Sequence, residues 1–144
     1  MRANPENLAA TVGLAEGYRQ LQKPEAAAPL LDKALNDPKL DANTALSVAQ
    51  TYAAVGNVTK LETALEKLAK LMPTSPESWY DLAVLKARIG KPAEALLALH
   101  QALDLSAKRL QRDPKARDLL ASARKEESFG TLRGSPEFKK MVPP

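Results

Sequence analysis

Along this chain apolar residues recur at spacings of three and four and nowhere alternate one by one. Leu61, Ala64, Leu65, Leu68 and Leu71 are typical. Such positions share one side of a 3.6-residue helix, so the pattern predicts amphipathic helices and no strands. Proline marks many of the starts. In Asn4-Pro5, Lys23-Pro24, Ser75-Pro76, Lys91-Pro92 and Asp113-Pro114 the proline stands where a first helical residue would. There its missing N–H costs nothing and its fixed φ suits the helix. Asp41 and Asn57 supply side chains able to cap a helix N-terminus. The reading is helices near 5–21, 24–36, 42–55, 58–71, 76–89, 92–112 and 114–125, with a short turn of helix near 136–142. Short turns between the first six predict antiparallel hairpins.

The chain also resembles itself. Tyr18 and Tyr52 stand 34 residues apart, and 34 further on is Lys86. Upstream of these anchors run the columns Thr11, Ala45, Trp79; Leu14, Val48, Leu82; and Ala15, Ala49, Ala83. Downstream come Gln22, Gly56, Gly90; Ala27, Leu61, Ala95; Leu31, Leu65, Leu99; and Ala34, Leu68, Ala102. Self-similarity at a fixed period of this length is the mark of a stacked repeat array.

The pattern resembles the tetratricopeptide repeat, in which Trp, Leu, a small residue and Tyr mark the first helix, and small, large and small residues mark the second. The third copy matches most fully, with Trp79, Leu82, Ala83, Gly90, Ala95, Leu99 and Ala102. It departs at Lys86, where Tyr is usual. The second copy carries Leu61 and Leu68 where small residues are expected, and the first has Thr11 for Trp and Gln22 for Gly. The tail Phe129-Gly-Thr-Leu132-Arg-Gly-Ser-Pro136-Glu-Phe138 is similar to the Phe-x-x-Leu-Arg-x-x-Pro-x-Phe ending of many bacterial arrays. The resemblance implies an all-α, right-handed superhelical array. Its parts would be three hairpins within 1–112 (about 8–41, 42–75 and 76–109) and a capping helix with a closing tail in 113–144. Phe129, Leu132, Phe138 and Met141 are expected to pack over the exposed edge. No comparable cap is visible at the N-terminus, so either the first repeat caps itself or the chain ends a longer protein.

Composition fits this reading. The 144 residues include 25 Ala and 23 Leu, a third of the chain, and only 4% aromatics. Alternating small and large residues is what closely stacked hairpins need. Absence of Cys removes disulfides, thiolate zinc sites and thiol nucleophiles, and a single His removes multi-histidine metal sites. The net charge of +4 is unevenly placed: residues 1–76 balance 8 basic against 8 acidic, while 77–144 carry 13 against 9. Lys108, Arg109, Arg112, Lys115, Arg117, Arg124 and Lys125 form a basic segment. No aromatic interleaves it, which argues for a solvated helix face over nucleic-acid contact.

No catalytic constellation emerges. His100 and Asp104 lie one helical turn apart, but no nucleophile elbow or glycine-rich oxyanion loop accompanies them. Carboxylates pair at Glu62 and Glu66 and at Glu126 and Glu127, but acid–base work needs one of a pair in an apolar pocket, and Glu62 and Glu66 sit among Lys60, Lys67 and Lys70, as on a solvated face. Gly130 and Gly134 belong to no phosphate loop. The expectation is therefore no enzyme, no metal and no cofactor. No apolar run is long enough to span a membrane.

In the family that the chain resembles, the first helix of each hairpin lines a concave groove. Helical arithmetic from the anchors places Val12, Gly13, Glu16, Arg19 and Gln20 there in the first repeat. Leu46, Ser47, Gln50, Ala53 and Ala54 follow in the second, and Tyr80, Asp81, Val84, Ala87 and Arg88, with Glu77, in the third. Members that grip a partner's C-terminal carboxylate use basic and amide residues at set groove positions. The matching residues here are Val12, Glu16, Ser47, Glu77 and Asp81, so that partner class is rejected. The expected function is a protein-interaction module holding an apolar or basic peptide, anchored near Leu46, Tyr80 and Val84. The alternative is a structural or self-assembly segment of a larger protein, whose signature would be a homodimer. Residues 1–20 show no charged start followed by an apolar core, so the default location is the cytoplasm, with the periplasm open.

Overall fold

The computed structural model describes the backbone of residues 5–144 and side chains from Leu8 onward, so the expected start at Asn4 lies outside the described residues. Among them the chain is all-helical, with no strand. Helices α1 (Pro5–Gln20), α2 (Pro24–Leu35), α3 (Ala42–Val55) and α4 (Val58–Leu71) form one compact unit, Met1–Leu71. A second unit, Met72–Pro144, holds α5 (Pro76–Arg88), α6 (Pro92–Arg112), α7 (Leu119–Lys125), a 3-10 helix (Glu127–Leu132) and α8 (Pro136–Met141). The division expected after residue 112 thus falls inside the second unit.

The elements arise for the reasons the pattern gave. Pro24, Pro76 and Pro92 each open their helix. The Asp41 carboxylate accepts from the Thr44 N–H at 2.8 Å, and Asn57 Oδ1 accepts from the Lys60 N–H at 3.1 Å. At the other ends the 34-residue period extends to backbone geometry. Gln22, Gly56 and Gly90 all have positive φ, at 60°, 77° and 75°. In each turn the anchor carbonyl of Tyr18, Tyr52 or Lys86 accepts from the N–H five residues on, at 2.8, 3.0 and 2.9 Å. These left-handed turns satisfy carbonyls that a helix end leaves open. Glycine adopts such a φ freely, whereas Gln22 holds it against its own Cβ.

One start differs from expectation. Asp113-Pro114 opens no helix. Asp113 closes α6, its carboxylate accepts from the Lys115 N–H at 3.1 Å, and its carbonyl accepts from the Ala116 N–H at 3.0 Å. This turn carries the chain to Asp118, whose side chain caps α7 through the Leu120 and Ala121 N–H groups at 3.0 and 3.3 Å. Proline suits the second place of a turn as well as the first place of a helix, so the dipeptide alone does not separate them.

In the first unit, α1 packs on α2, α3 on α4, and α3 also on both α1 and α2. Ala15, Ala27, Leu31, Ala34, Ala45, Val48 and Ala49 fill the centre. Leu14 does not follow its column: it is 53% exposed, against buried Val48 and Leu82. The Tyr52 phenol on α3 donates to the Asp32 carboxylate on α2, and Lys60 reaches the same carboxylate at 3.5 Å. Burial first, and Asp32 second, push the Tyr52 phenol above its ordinary range.

In the second unit α5 and α6 form the central hairpin, around Leu82, Ala83, Ala95, Leu99 and Ala102. Lys86 occupies the anchor place of Tyr. The residue is buried, with its ammonium 3.5 Å from Glu94 on α6. The closing tail folds onto this hairpin, α7 and the 3-10 helix against both α5 and α6 and α8 against α6. Phe129, Leu132 and Phe138 are buried as expected, and Met141 is half-buried. Arg133 explains the arginine of the tail motif. Its guanidinium donates to the carbonyls of Ala123 and Glu126 at 3.3 and 2.9 Å, closing the end of α7, and lies over the Phe138 ring at 5.4 Å.

Candidate functional site

The groove face of each unit has a different fate. In the first unit α1 and α3 lie side by side and leave an open groove of about 620 Å³ between them. Val12, Glu16, Arg19, Ser47 and Gln50 line it, with Asn43 and Thr51 joining from α3. These are positions one helical turn apart on two neighbouring helices, which is why arithmetic from the anchors found them. Leu46 is 43% exposed but lies outside the lining.

Glu16 organises this groove. Arg19 grips its carboxylate with Nε at 2.8 Å and Nη2 at 2.5 Å, Gln20 donates at 3.3 Å, and the Thr51 hydroxyl reaches across from α3 at 3.4 Å. The Arg19 hydrogen bonds dominate and hold the carboxyl well below its ordinary range, at about 2, against a smaller opposing effect of enclosure. The charge of Glu16 is thereby matched inside the protein. What remains for an occupant is neutral: the amides of Asn43 and Gln50, the hydroxyl of Ser47, and apolar Ala9, Val12 and Ala54.

In the second unit the corresponding face of α5 is covered by the chain itself. Tyr80, expected as a partner anchor, is buried, and the Phe129 ring meets it edge-on at 5.8 Å. Arg117 stands over the other part of the ring at 5.9 Å. The Tyr80 hydroxyl is buried without a hydrogen-bond partner among the described residues. Burial, then the nearby Glu126, push the phenol up to about 12. Glu77 is bound by Arg109 at 2.8 Å, and Arg109 continues to the Arg117 carbonyl at 3.1 Å. Arg88 donates through Nε to Ser128 Oγ at 2.7 Å. Val84 is half-buried. Asp81 is exposed as a residue, yet enclosure on its carboxyl side raises its pKa, with Arg117 opposing and Glu77 adding. Tyr80 is therefore packing for the tail, and truncating it would loosen the unit before it tested any partner.

The basic segment is largely engaged within the protein. Lys108 pairs with Asp104 at 3.0 Å, Arg109 with Glu77, Arg117 with the Tyr80 ring, and Arg124 with the Pro143 carbonyl at 3.1 Å. Asp104 is thus turned toward Lys108. Among the described residues no group of three or more His, Asp or Glu side chains is placed to hold a metal. Also among them, no helix is long and apolar enough to cross a membrane.

One surface escaped the sequence reading: an apolar trough of about 1210 Å³ along α6, walled by Leu120 of α7 and Met141 of α8. The signal was present, because Ala95, Leu96, Leu97, Ala98 and Leu99 are five consecutive apolar residues, too many for one helical stripe. Compared with protein-family models and with curated proteins, the chain finds no match.

Proposed function

We propose that the chain is a non-catalytic protein-interaction module of the tetratricopeptide type, with α1 and α3 of the first unit as the working groove. A single observation carries the reading: Val12, Glu16, Arg19, Ser47 and Gln50, assigned to the groove by the family resemblance and the 34-residue anchors, line one open groove, while Gln20, Leu46 and Ala53, assigned in the same way, lie outside it. Recurrence of the same left-handed turn at Gln22, Gly56 and Gly90 supports the repeat type. A right-handed superhelix of three hairpins is part of the same proposal. The groove chemistry favours an extended apolar segment whose peptide groups bond to neutral amides and a hydroxyl. It gives no advantage to a basic segment, since Arg19 already satisfies Glu16.

The test is a peptide-display selection on the full chain, counter-screened on Ser47→Trp. Ser47 is exposed, so the indole fills the groove without entering the core. Enriched apolar peptides that lose at least tenfold in affinity for the Trp variant support the reading. A selection whose binders all ignore the substitution overturns it.

A further inference from the structure

We propose that the outer face of α6 is a second docking site, which receives one amphipathic helix of a partner protein whose apolar stripe is flanked by lysine or arginine. The argument begins with α6 itself. Its inner stripe, Ala95, Ala98, Leu99, Ala102 and Ser106, is buried. A second stripe runs along its outer side: Ala93, Leu96, His100, Leu103, Ala107 and Leu110. These recur at alternate spacings of three and four over the 21-residue helix, the periodicity of a helix that packs along another helix. A helix with two apolar stripes buries two faces. The α5–α6 hairpin accounts for the first only. Beside the second, Leu97 also lines the trough and is 71% exposed, the most exposed of the large hydrophobic side chains described.

The shape of the trough suits a helix. Small Ala93 and Ala107 alternate with Leu96, Leu103 and Leu110, which leaves hollows between ridges along the floor. From Ala93 to Leu110 the floor is about 26 Å long at 1.5 Å per residue, or nearly five turns. Leu120 and Met141 join the lining, so an occupant also meets apolar side chains of α7 and α8. Fifteen residues line the trough. A standard interface uses roughly 20–30 residues a side, so this surface fits a single helix better than a second folded copy.

Charge selects the occupant. The lining carries carboxylates at Asp104, Asp118 and Glu137 against one ammonium at Lys140. Asp104 is matched by Lys108, which leaves Asp118, the cap of α7, and Glu137 on α8 against the single ammonium of Lys140, an acidic excess of one. A second copy would bring the same acidic rims against these. A helix with cations flanking its apolar stripe would meet them with opposite charge.

The experiment uses two fluorescein-labelled synthetic helical peptides of 18 residues. Both carry leucine at alternating three- and four-residue spacing; one has lysine at the flanking positions and its twin has glutamate. Anisotropy titration of the full chain should give micromolar binding of the lysine peptide and at least tenfold weaker binding of the glutamate twin. Leu97→Gln should weaken the lysine peptide at least tenfold with an unchanged far-UV circular dichroism spectrum, and Ser47→Trp should leave it unchanged. Equal affinity for the twins, no binding of either, or indifference to Leu97→Gln would overturn the proposal. So would a micromolar dimer in sedimentation that Leu97→Gln converts to monomer, because a second copy would then be the occupant.

Discussion

The two units share one repeat pattern and use its first-helix face in opposite ways. In Met1–Leu71 that face is an open groove between α1 and α3, with a polar floor organised by Glu16. In Met72–Pro144 the face of α5 lies under the chain's own tail, with Phe129 seated on Tyr80. The anchor column differs between them as well. Tyr52 reaches from its own hairpin to Asp32 of the preceding one, and Lys86, a cation in the same place, reaches the carboxylate of Glu94 on α6. A position in a repeat therefore specifies which way a side chain points, and the segment that follows decides what it meets.

The comparison breaks most visibly at Phe129. This ring is fully buried and touches both Tyr80 and Phe138, the latter at 6.0 Å. Phe129→Ala should cost the second unit about 4 kcal/mol, the usual toll of emptying an aromatic site in a core. Trp79, the sole tryptophan, lies in that unit, so urea unfolding followed by its fluorescence should shift strongly to lower denaturant. Circular dichroism, which also sees the four helices of the first unit, should split into two steps. If both signals instead shift together as one transition, the units do not unfold independently and the contrast loses its thermodynamic meaning.

A smaller effect is expected at the first turn. Gln22 sits at φ 60° where the matching Gly56 and Gly90 sit at 77° and 75°. A residue with a Cβ loses about 1–2 kcal/mol in this conformation, and glycine returns part of that through greater freedom in the unfolded chain. Gln22→Gly should therefore stabilise the first unit by roughly 0.5–1 kcal/mol. The midpoint of the circular dichroism step for that unit should rise while the Trp79 transition stays in place. A fall in the midpoint would mean that the Gln22 side chain makes contacts worth more than the backbone relief.

How much of this was legible in the sequence follows from the range of the forces involved. Helix starts at Pro24, Pro76 and Pro92 and the cap at Asp41 are local, set by residues within one turn, and they were read correctly. That Val12 shares a helix face with Glu16, and Ser47 with Gln50, was also readable by geometry alone, whereas Leu46, assigned to the same face, lies outside the lining. Asp113-Pro114 was misread because a turn and a helix start use the same dipeptide. Covering of Tyr80 by Phe129 was not legible, since 49 residues separate them and nothing local aims one at the other. The outer face of α6 lay between these cases. Its five apolar residues in a row announced a second stripe, but only the exposure of Leu97 shows that the tail, which lends Leu120 and Met141 to the trough, leaves part of that face open.

The finest test of the contrast is acid titration, because acidic residues on the two groove faces respond in opposite directions. Arg19 holds Glu16 ionised, lowering its carboxyl from 4.5 to about 2, while enclosure raises Asp81. For Glu16 the folded state prefers the charged form. Its contribution to the first unit is therefore complete above about pH 4.5 and is lost as the pH falls toward about 2. For Asp81 the folded state prefers the neutral form, so the second unit gains from that residue as the pH falls through its raised value. Glu16→Gln keeps the shape of the side chain and removes the titration. It should flatten the decline of the first unit between about pH 4.5 and 2 and leave the Trp79 transition as it was. A variant as acid-sensitive as the parent would place the titrating group elsewhere and detach Glu16 from the stability of the groove.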